Sequence, residues 1–424
     1  MSKWEWKKLG EVCDSINGLW KGKKDPFIKV GVIRNTNFTK NCKLDLNPSK
    51  LEFLDVEKKQ YDKRKLLFGD LIVEKSGGSE KQPVGRVVLF EEKEGEYSFS
   101  NFTSVLRIKN DNEIECHFLH LQLYKLYLDG VTKQMQSATT GIHNLDFDQF
   151  KDLSIGIPPL SEQNCIVKFL DEEFSKIETL KTNAETNLKN AKELFESTLE
   201  KELNPQSRHS ERSEESSADL PSGWELKALG DVCYRIKRGK APKYVEQSDV
   251  LVFAQKCNQP DGTMSLEKAL CLDPSILGKY KAEDYVKEGD VLVNSTGNGT
   301  VGRVGFFNNK LLNNKKPVVP DTHITTIRGL ANTFPKYLYY FLKPKESYLS
   351  DKSLGTTNMK ELHADILEHL QIPLPPLSVQ KEIVAHLDKL SENIKRLEAN
   401  YKQIIANCDE LKKSILKKTF EGES

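Results

Sequence analysis

The sequence predicts an α+β chain with a pseudo-two-fold internal repeat, in which two globular domains are joined by two long helices forming an antiparallel coiled coil. Three observations predict it. Most of the chain is written twice, each copy opens on mixed strand and helix signals, and each closes on a long run free of glycine and proline.

The repeat comes first because it sets the domain count. Trp4-Glu5-Trp6-Lys7-Lys8-Leu9-Gly10-Glu11-Val12-Cys13 returns 220 residues on as Trp224-Glu225-Leu226-Lys227-Ala228-Leu229-Gly230-Asp231-Val232-Cys233. Gly69-Asp70-Leu71-Ile72-Val73 returns as Gly289-Asp290-Val291-Leu292-Val293, and Val84-Gly85-Arg86-Val87 as Val301-Gly302-Arg303-Val304. Ile157-Pro158-Pro159-Leu160-Ser161-Glu162-Gln163 returns as Leu374-Pro375-Pro376-Leu377-Ser378-Val379-Gln380. The order is kept while the offset drifts from 220 to 217, as expected of a duplication. The period is domain-sized, far beyond a solenoid repeat.

The globular parts are predicted at 1–155 and 223–372, the long helices at 156–203 and 373–424, and a polar linker at 204–222. Leu71-Ile72-Val73 and Val291-Leu292-Val293 follow Gly-Asp turns and read as strands; Arg86–Phe90 and Arg303–Phe307 read as their returns. Phe118–Leu123 and Tyr337–Leu342 read as matched buried helices. Proline pairs precede the long helices, with Ser161 and Ser378 as candidate caps. Asn204–Asp219 is serine-rich and nearly devoid of apolar residues, the composition of a linker.

The long segments carry a heptad pattern. In the second, apolar residues fall at Leu387, Leu390, Ile394, Leu397, Tyr401, Ile404, Cys408, Leu411 and Ile415. In the first the pattern is looser, through Ile177, Leu180, Ala184, Asn187, Ala191 and Leu194. Each helix would extend about 60 Å at 1.5 Å per residue. A narrow stripe on a charged helix wants one partner helix, and the other copy's helix is the expected one.

With 424 residues and 38% hydrophobic side chains the chain can build two cores. Its formal net charge of +1 can hide a basic face opposite an acidic one. The eight cysteines form no C-x-x-C pair and no cluster with zinc-ligand spacing, so free thiols in a reducing compartment and no metal are expected. The segment Met1–Trp6 has no apolar core of a signal peptide and no run approaches a membrane span, so a cytoplasmic location is expected.

Catalytic motifs are not found. There is no G-x-x-x-x-G-K-[ST] phosphate loop. Gly297-Asn298-Gly299-Thr300-Val301-Gly302 fits G-x-G-x-x-G, but a strand pattern follows where a dinucleotide fold needs a helix. The Pro-Pro pairs lack the acidic or amide residue and the aromatic of an amino-methyltransferase. His143 and His323 have no nucleophile motif beside them and read as ordinary histidines.

DNA reading needs Lys, Arg and backbone N–H groups for phosphates, and amide, hydroxyl or basic tips for base edges. Turn segments offer that mixture at equivalent places in both copies. In the first copy the candidates are Lys21, Lys23, Lys24, Arg34, Asn35, Lys75, Ser76, Arg86, Thr139, Thr140, His143 and Asn144. In the second they are Lys237, Arg238, Lys240, Gln255, Lys256, Asn258, Asn294, Ser295, Thr296, Asn298, Arg303, Thr356, Thr357, Asn358 and Lys360. Turn-favouring residues at a solvated loop would give the same composition. Recurrence with different polar residues favours two readers on one scaffold. Arg86 and Arg303 suit either a phosphate or a structural ion pair.

The Trp-Glu-x-Lys-x-Leu-Gly opening, the Gly-Asp strand, Val-Gly-Arg-Val and Pro-Pro-Leu-Ser-x-Gln, each present twice, resemble the specificity subunit of type I restriction-modification enzymes over nearly the whole chain. The resemblance implies two target-recognition domains, each reading half of a split site in double-stranded DNA, with the paired helices spacing them. It implies two methyltransferase subunits as partners, and motor-nuclease subunits in the full complex. S-adenosylmethionine, ATP and magnesium would belong to those partners, with no cofactor and no catalysis on this chain. The chain departs from the family in its long low-complexity linker and in Asn183, Asn187 and Asn190 along the first helix. Two other classes compete: a nuclease or methyltransferase active on its own, and a coiled-coil scaffold with protein- or ligand-binding heads and no DNA role. The scaffold predicts no salt-dependent DNA affinity.

Overall fold

The computed structural model describes residues 4–421 except 20, 81, 140–141, 205–219, 261, 309–315 and 357–358. The chain divides into two compact units, residues 1–185 with 402–424, and residues 186–401. Both long helices, Leu160–Leu203 and Leu377–Glu421, therefore contribute to both units.

The first unit is built on an antiparallel sheet in the order Cys13–Asn17, Thr103–Ile108, Leu71–Glu74, Val87–Leu89. The second unit repeats it as Cys233–Arg238, Ile324–Gly329, Val291–Asn294, Val304–Phe306. The central strand of each is buried throughout, which is why it reads as an unbroken apolar run rather than an alternating one. Burying Leu71 or Leu292 fully contributes about 2 kcal/mol each.

The Gly-Asp signal has a physical cause. Gly69 and Gly289 sit at φ +87° and +85°, where a side chain would be strained. The following aspartate closes the turn: Asp70 accepts from the Leu67 N–H at 2.8 Å and Asp290 from the Lys287 N–H at 2.7 Å. Each carboxylate also takes two hydrogen bonds from an arginine on the neighbouring strand, Arg107 and Arg328 respectively.

The predicted helices are Cys116–Leu128 and Pro335–Leu342, each packed into its unit's core. The strand opening each copy, Glu5–Lys8 or Glu225–Ala228, pairs with the strand entering the long helix, Ser154–Ile157 or Gln371–Leu374. Ser161 and Ser378 do not cap: the helices start one residue earlier, at Leu160 and Leu377. The motif's glutamine does the anchoring. Gln163 is fully buried and donates to the carbonyls of Glu113 and Pro158, both at 2.8 Å, while its oxygen accepts from the Glu115 N–H at 2.9 Å. Gln380 repeats this with Asn332, Pro375 and the N–H of Phe334.

Within each unit the two long helices run antiparallel. In the first, Glu178 meets Lys412 and Lys181 meets Asp409, while Leu170, Leu416 and Phe174 pack with Leu121 and Tyr124. In the second, Lys192 lies near Glu398 and Glu202 near His386, while Leu199 and Leu203 pack with Ile383, Val384 and Leu387.

The seam is narrower than the heptad reading. Ile177, Ala184, Leu387 and Ile394 are buried as expected and Leu390 is half-buried. Leu180 and Leu194 are instead more than half exposed, and Leu397, Ile404 and Leu411 are exposed too. The buried positions recur every seven residues, as Leu170, Ile177, Ala184, Ala191, while the flanks are closed by ion pairs such as Glu178–Lys412 instead of a second apolar layer. Among the described residues no helix is long and apolar enough to cross a membrane.

Candidate nucleic-acid interface

In the first unit a short 3₁₀ turn, Asn35–Asn37, brings Asn35 against the end of the central strand. Its Nδ2 donates to the Ser76 carbonyl at 2.5 Å. The Ser76 hydroxyl donates to Asn144 Oδ1 at 2.5 Å. Ser76–Gly78 forms the edge of a small sheet with Ile142–Leu145 and Gln136–Thr139, in which Asn144 lies opposite Ser76 and His143 opposite Gly78. Three predicted residues, Asn35, Ser76 and Asn144, are therefore hydrogen-bonded together, and His143 lies on the same small sheet. Lys75 is next to them, with Nζ 5.5 Å from the Phe147 ring centre and 3.4 Å from Asn17 Oδ1. Burial pushes its ammonium pKa below the ordinary lysine value.

Lys21, Lys23 and Lys24 are exposed. The N–H groups of Lys23 and Lys24 point at the Glu57 carboxylate, at 3.2 and 3.3 Å, so the side chains and not the amides face solvent charge. Arg34 is ion-paired to Glu52 at the surface. Arg86 is not a phosphate ligand. It is buried, donates to both Glu74 oxygens and to the Phe38 carbonyl, and lies over the Phe38 ring.

The second unit builds the same corner from different groups. Gln255 opens the equivalent 3₁₀ turn, Gln255–Cys257, and its Nε2 donates to the Thr296 hydroxyl at 2.8 Å. That hydroxyl lies 2.5 Å from His323 Nδ1. Thr296 bridges to Glu361 on the hairpin Leu354–Thr356/Met359–Glu361, and Glu361 pairs with Arg238 at 2.5 Å. The half-buried Lys360 joins through its carbonyl, 3.4 Å from the Gly297 N–H. His323 and Glu361 were missed as binding candidates: His323, unlike His143, was weighed only as a catalyst, and a carboxylate repels phosphate.

Several predicted residues of this copy are interior. Asn258 donates to Asn294 Oδ1 at 2.8 Å, Asn294 donates to the Gln255 carbonyl at 3.2 Å, and Ser295 shares a hydrogen bond with Thr325. All three are buried, so they support the corner and cannot reach a base edge. Lys240 is held by Asp284 at 2.5 Å and by the Lys279 carbonyl at 2.6 Å. Burial pushes the Asp284 carboxyl up, but Lys240, the Lys281 N–H and Arg235 outweigh it and hold the pKa at about 2. Lys237, Lys256 and Asn298 are exposed. Arg303 is half-buried and donates to the carbonyls of Asn258 and Gly299, at 3.3 and 3.1 Å. Nothing is described of the Thr139 and Thr356 side chains, and Thr140, Thr357 and Asn358 lie outside the described residues.

The grouped side chains are amides, hydroxyls, imidazoles, basic tips and the Glu361 carboxylate, all of which can hydrogen-bond a polar edge. Comparison with known proteins agrees in kind. Residues 1–190 and 221–406 each match the family model described as type I restriction modification DNA specificity domain. The chain is 25% identical over 99% of its length to the type I restriction enzyme MjaX specificity subunit of Methanocaldococcus jannaschii, covering 93% of that protein. It is 25% identical to the EcoKI specificity subunit of Escherichia coli K12, over 85% of this chain and 76% of that one. A solved chain of a type I restriction-modification system superposes with TM-score 0.75 at 21% identity, covering 100% of this chain and 98% of that one. The crystal structure of the HsdS subunit from Thermoanaerobacter tengcongensis gives 0.61 at 20%, covering 99% and 97%. With a matching domain in each of its two copies, this chain belongs to the type I restriction-modification DNA specificity family.

Proposed function

We propose that each globular part reads one half of a bipartite site in double-stranded DNA, and that the chain does no chemistry of its own. One observation carries this reading. The two copies share their sheets, Gly-Asp turns and glutamine anchors, yet at the equivalent corner one presents Asn35, Ser76 and Asn144 and the other Gln255, Thr296 and His323. A constant frame with exchanged hydrogen-bonding tips is what reading two different half-sites requires. Exposed Lys21, Lys23, Lys24, Lys237 and Lys256 would supply sequence-independent phosphate contacts.

In this reading the chain docks two methyltransferase subunits and, in the full complex, motor-nuclease subunits. Adenine methylation with S-adenosylmethionine, and ATP- and magnesium-dependent cleavage, belong to those partners. Binding measured with the methyltransferase bound, at a series of salt concentrations, tests the DNA role. Affinity for target DNA should fall linearly on a log–log plot against salt. A salt-independent or undetectable affinity would return the scaffold reading.

A further inference from the structure

The helix Cys116–Leu128 begins with three adjacent residues whose donor atoms converge: Glu115, Cys116 and His117. Cys116 Sγ lies 3.5 Å from His117 Nδ1 and 3.6 Å from Glu115 Oε1, and Nδ1 lies 2.7 Å from Oε1. Tetrahedral zinc with bonds of about 2.3 Å to sulfur and about 2.0–2.1 Å to nitrogen and oxygen needs edges of about 3.6, 3.6 and 3.3 Å. The two sulfur edges already have that length. The remaining one is a histidine–carboxylate contact that a metal would open by about 0.6 Å.

The surroundings are those of a ligand set. Glu91 Oε1 lies 3.0 Å from His117 Nε2, so it can keep a proton there and orient the ring when a metal displaces the proton that Nδ1 donates to Glu115. Glu115 divides its oxygens: Oε2 caps the helix by accepting from the Phe118 N–H at 2.6 Å, which leaves Oε1 for the metal. Its backbone N–H is held by the buried Gln163. All three residues are half-buried, which leaves a fourth position for water.

We propose that Glu115, Cys116 and His117 bind a divalent ion of the zinc class at the start of this helix. Binding converts the Cys116 thiol to thiolate and displaces the proton that His117 Nδ1 shares with Glu115 Oε1, so both protons are released. The second copy has Phe334, Pro335 and Lys336 at the corresponding helix start, so the site would belong to the first unit alone.

Titrating the full chain with cobalt(II), then zinc(II), tests this. One equivalent of cobalt should give a thiolate-to-cobalt charge-transfer band that zinc abolishes. Cys116→Ser should lose the band, with circular dichroism unchanged, while Cys165→Ser, at an exposed thiol, should keep it. Glu91→Gln should weaken zinc binding about tenfold. Absence of the band in the wild-type chain, or its persistence in Cys116→Ser, would overturn the proposal.

Discussion

Glu74 takes two hydrogen bonds from Arg86, at 2.7 and 2.9 Å, with both side chains almost fully buried. In the second copy the arginine is kept as Arg303 while Asn294 stands at the glutamate's place. A buried charge without its partner costs about 3–5 kcal/mol. Glu74→Ala should therefore destabilise the first unit by about that much, measured as a drop in urea midpoint.

Arg303 has no paired carboxylate among the described residues and keeps part of its surface. Arg303→Ala should cost under about 1 kcal/mol in stability, as a surface change does. It should also weaken DNA binding and reduce the salt slope by about one phosphate contact. Denaturation and salt-titrated binding on the same variant check both halves.

The glutamine anchors give a third expectation. Gln163→Leu keeps the volume but leaves the Glu115 N–H and two carbonyls without their partner. At about 1–3 kcal/mol for an unsatisfied buried group, the variant should lose about 2–4 kcal/mol, and Gln380→Leu should match it. Chemical denaturation is the readout, and a loss under about 0.5 kcal/mol would remove the structural reason for the motif.

Asp284 makes acid stability testable. Its folded pKa of about 2 lies below the ordinary aspartate value, so its contribution is present above about pH 4 and is lost as pH falls from 4 to 2. The contribution is on the order of 2 kcal/mol for a carboxylate this buried. Stability of Asp284→Asn should be lower at neutral pH and flatter between pH 4 and 2.

Much of the frame was legible because it rests on local signals. The Gly-Asp turns, the apolar central strands and the glycine-free helices each declare themselves within a few residues. The seam was read too wide because periodicity marks apolar residues without showing what covers them: Leu180 and Leu397 fit the heptad, yet Glu178–Lys412 and Lys192–Glu398 mark its flanks. The binding corner was legible in composition and not in depth. Asn258, Asn294 and Ser295 look like reading tips in sequence, and only the packed sheet shows them bonded to one another or to Thr325 in the interior. Arg86 and Arg303 are identical in sequence; the glutamate twelve residues before Arg86 separates their roles.

The most direct test is a genome-wide map of methylated adenines in cells expressing this chain with its methyltransferase. A split motif with two specific halves and a fixed gap is expected. Replacing residues 1–155 with those of another family member should change one half and leave the other half and the gap intact. A motif that is unsplit, or that survives the exchange unchanged, would contradict the division of reading between the two copies.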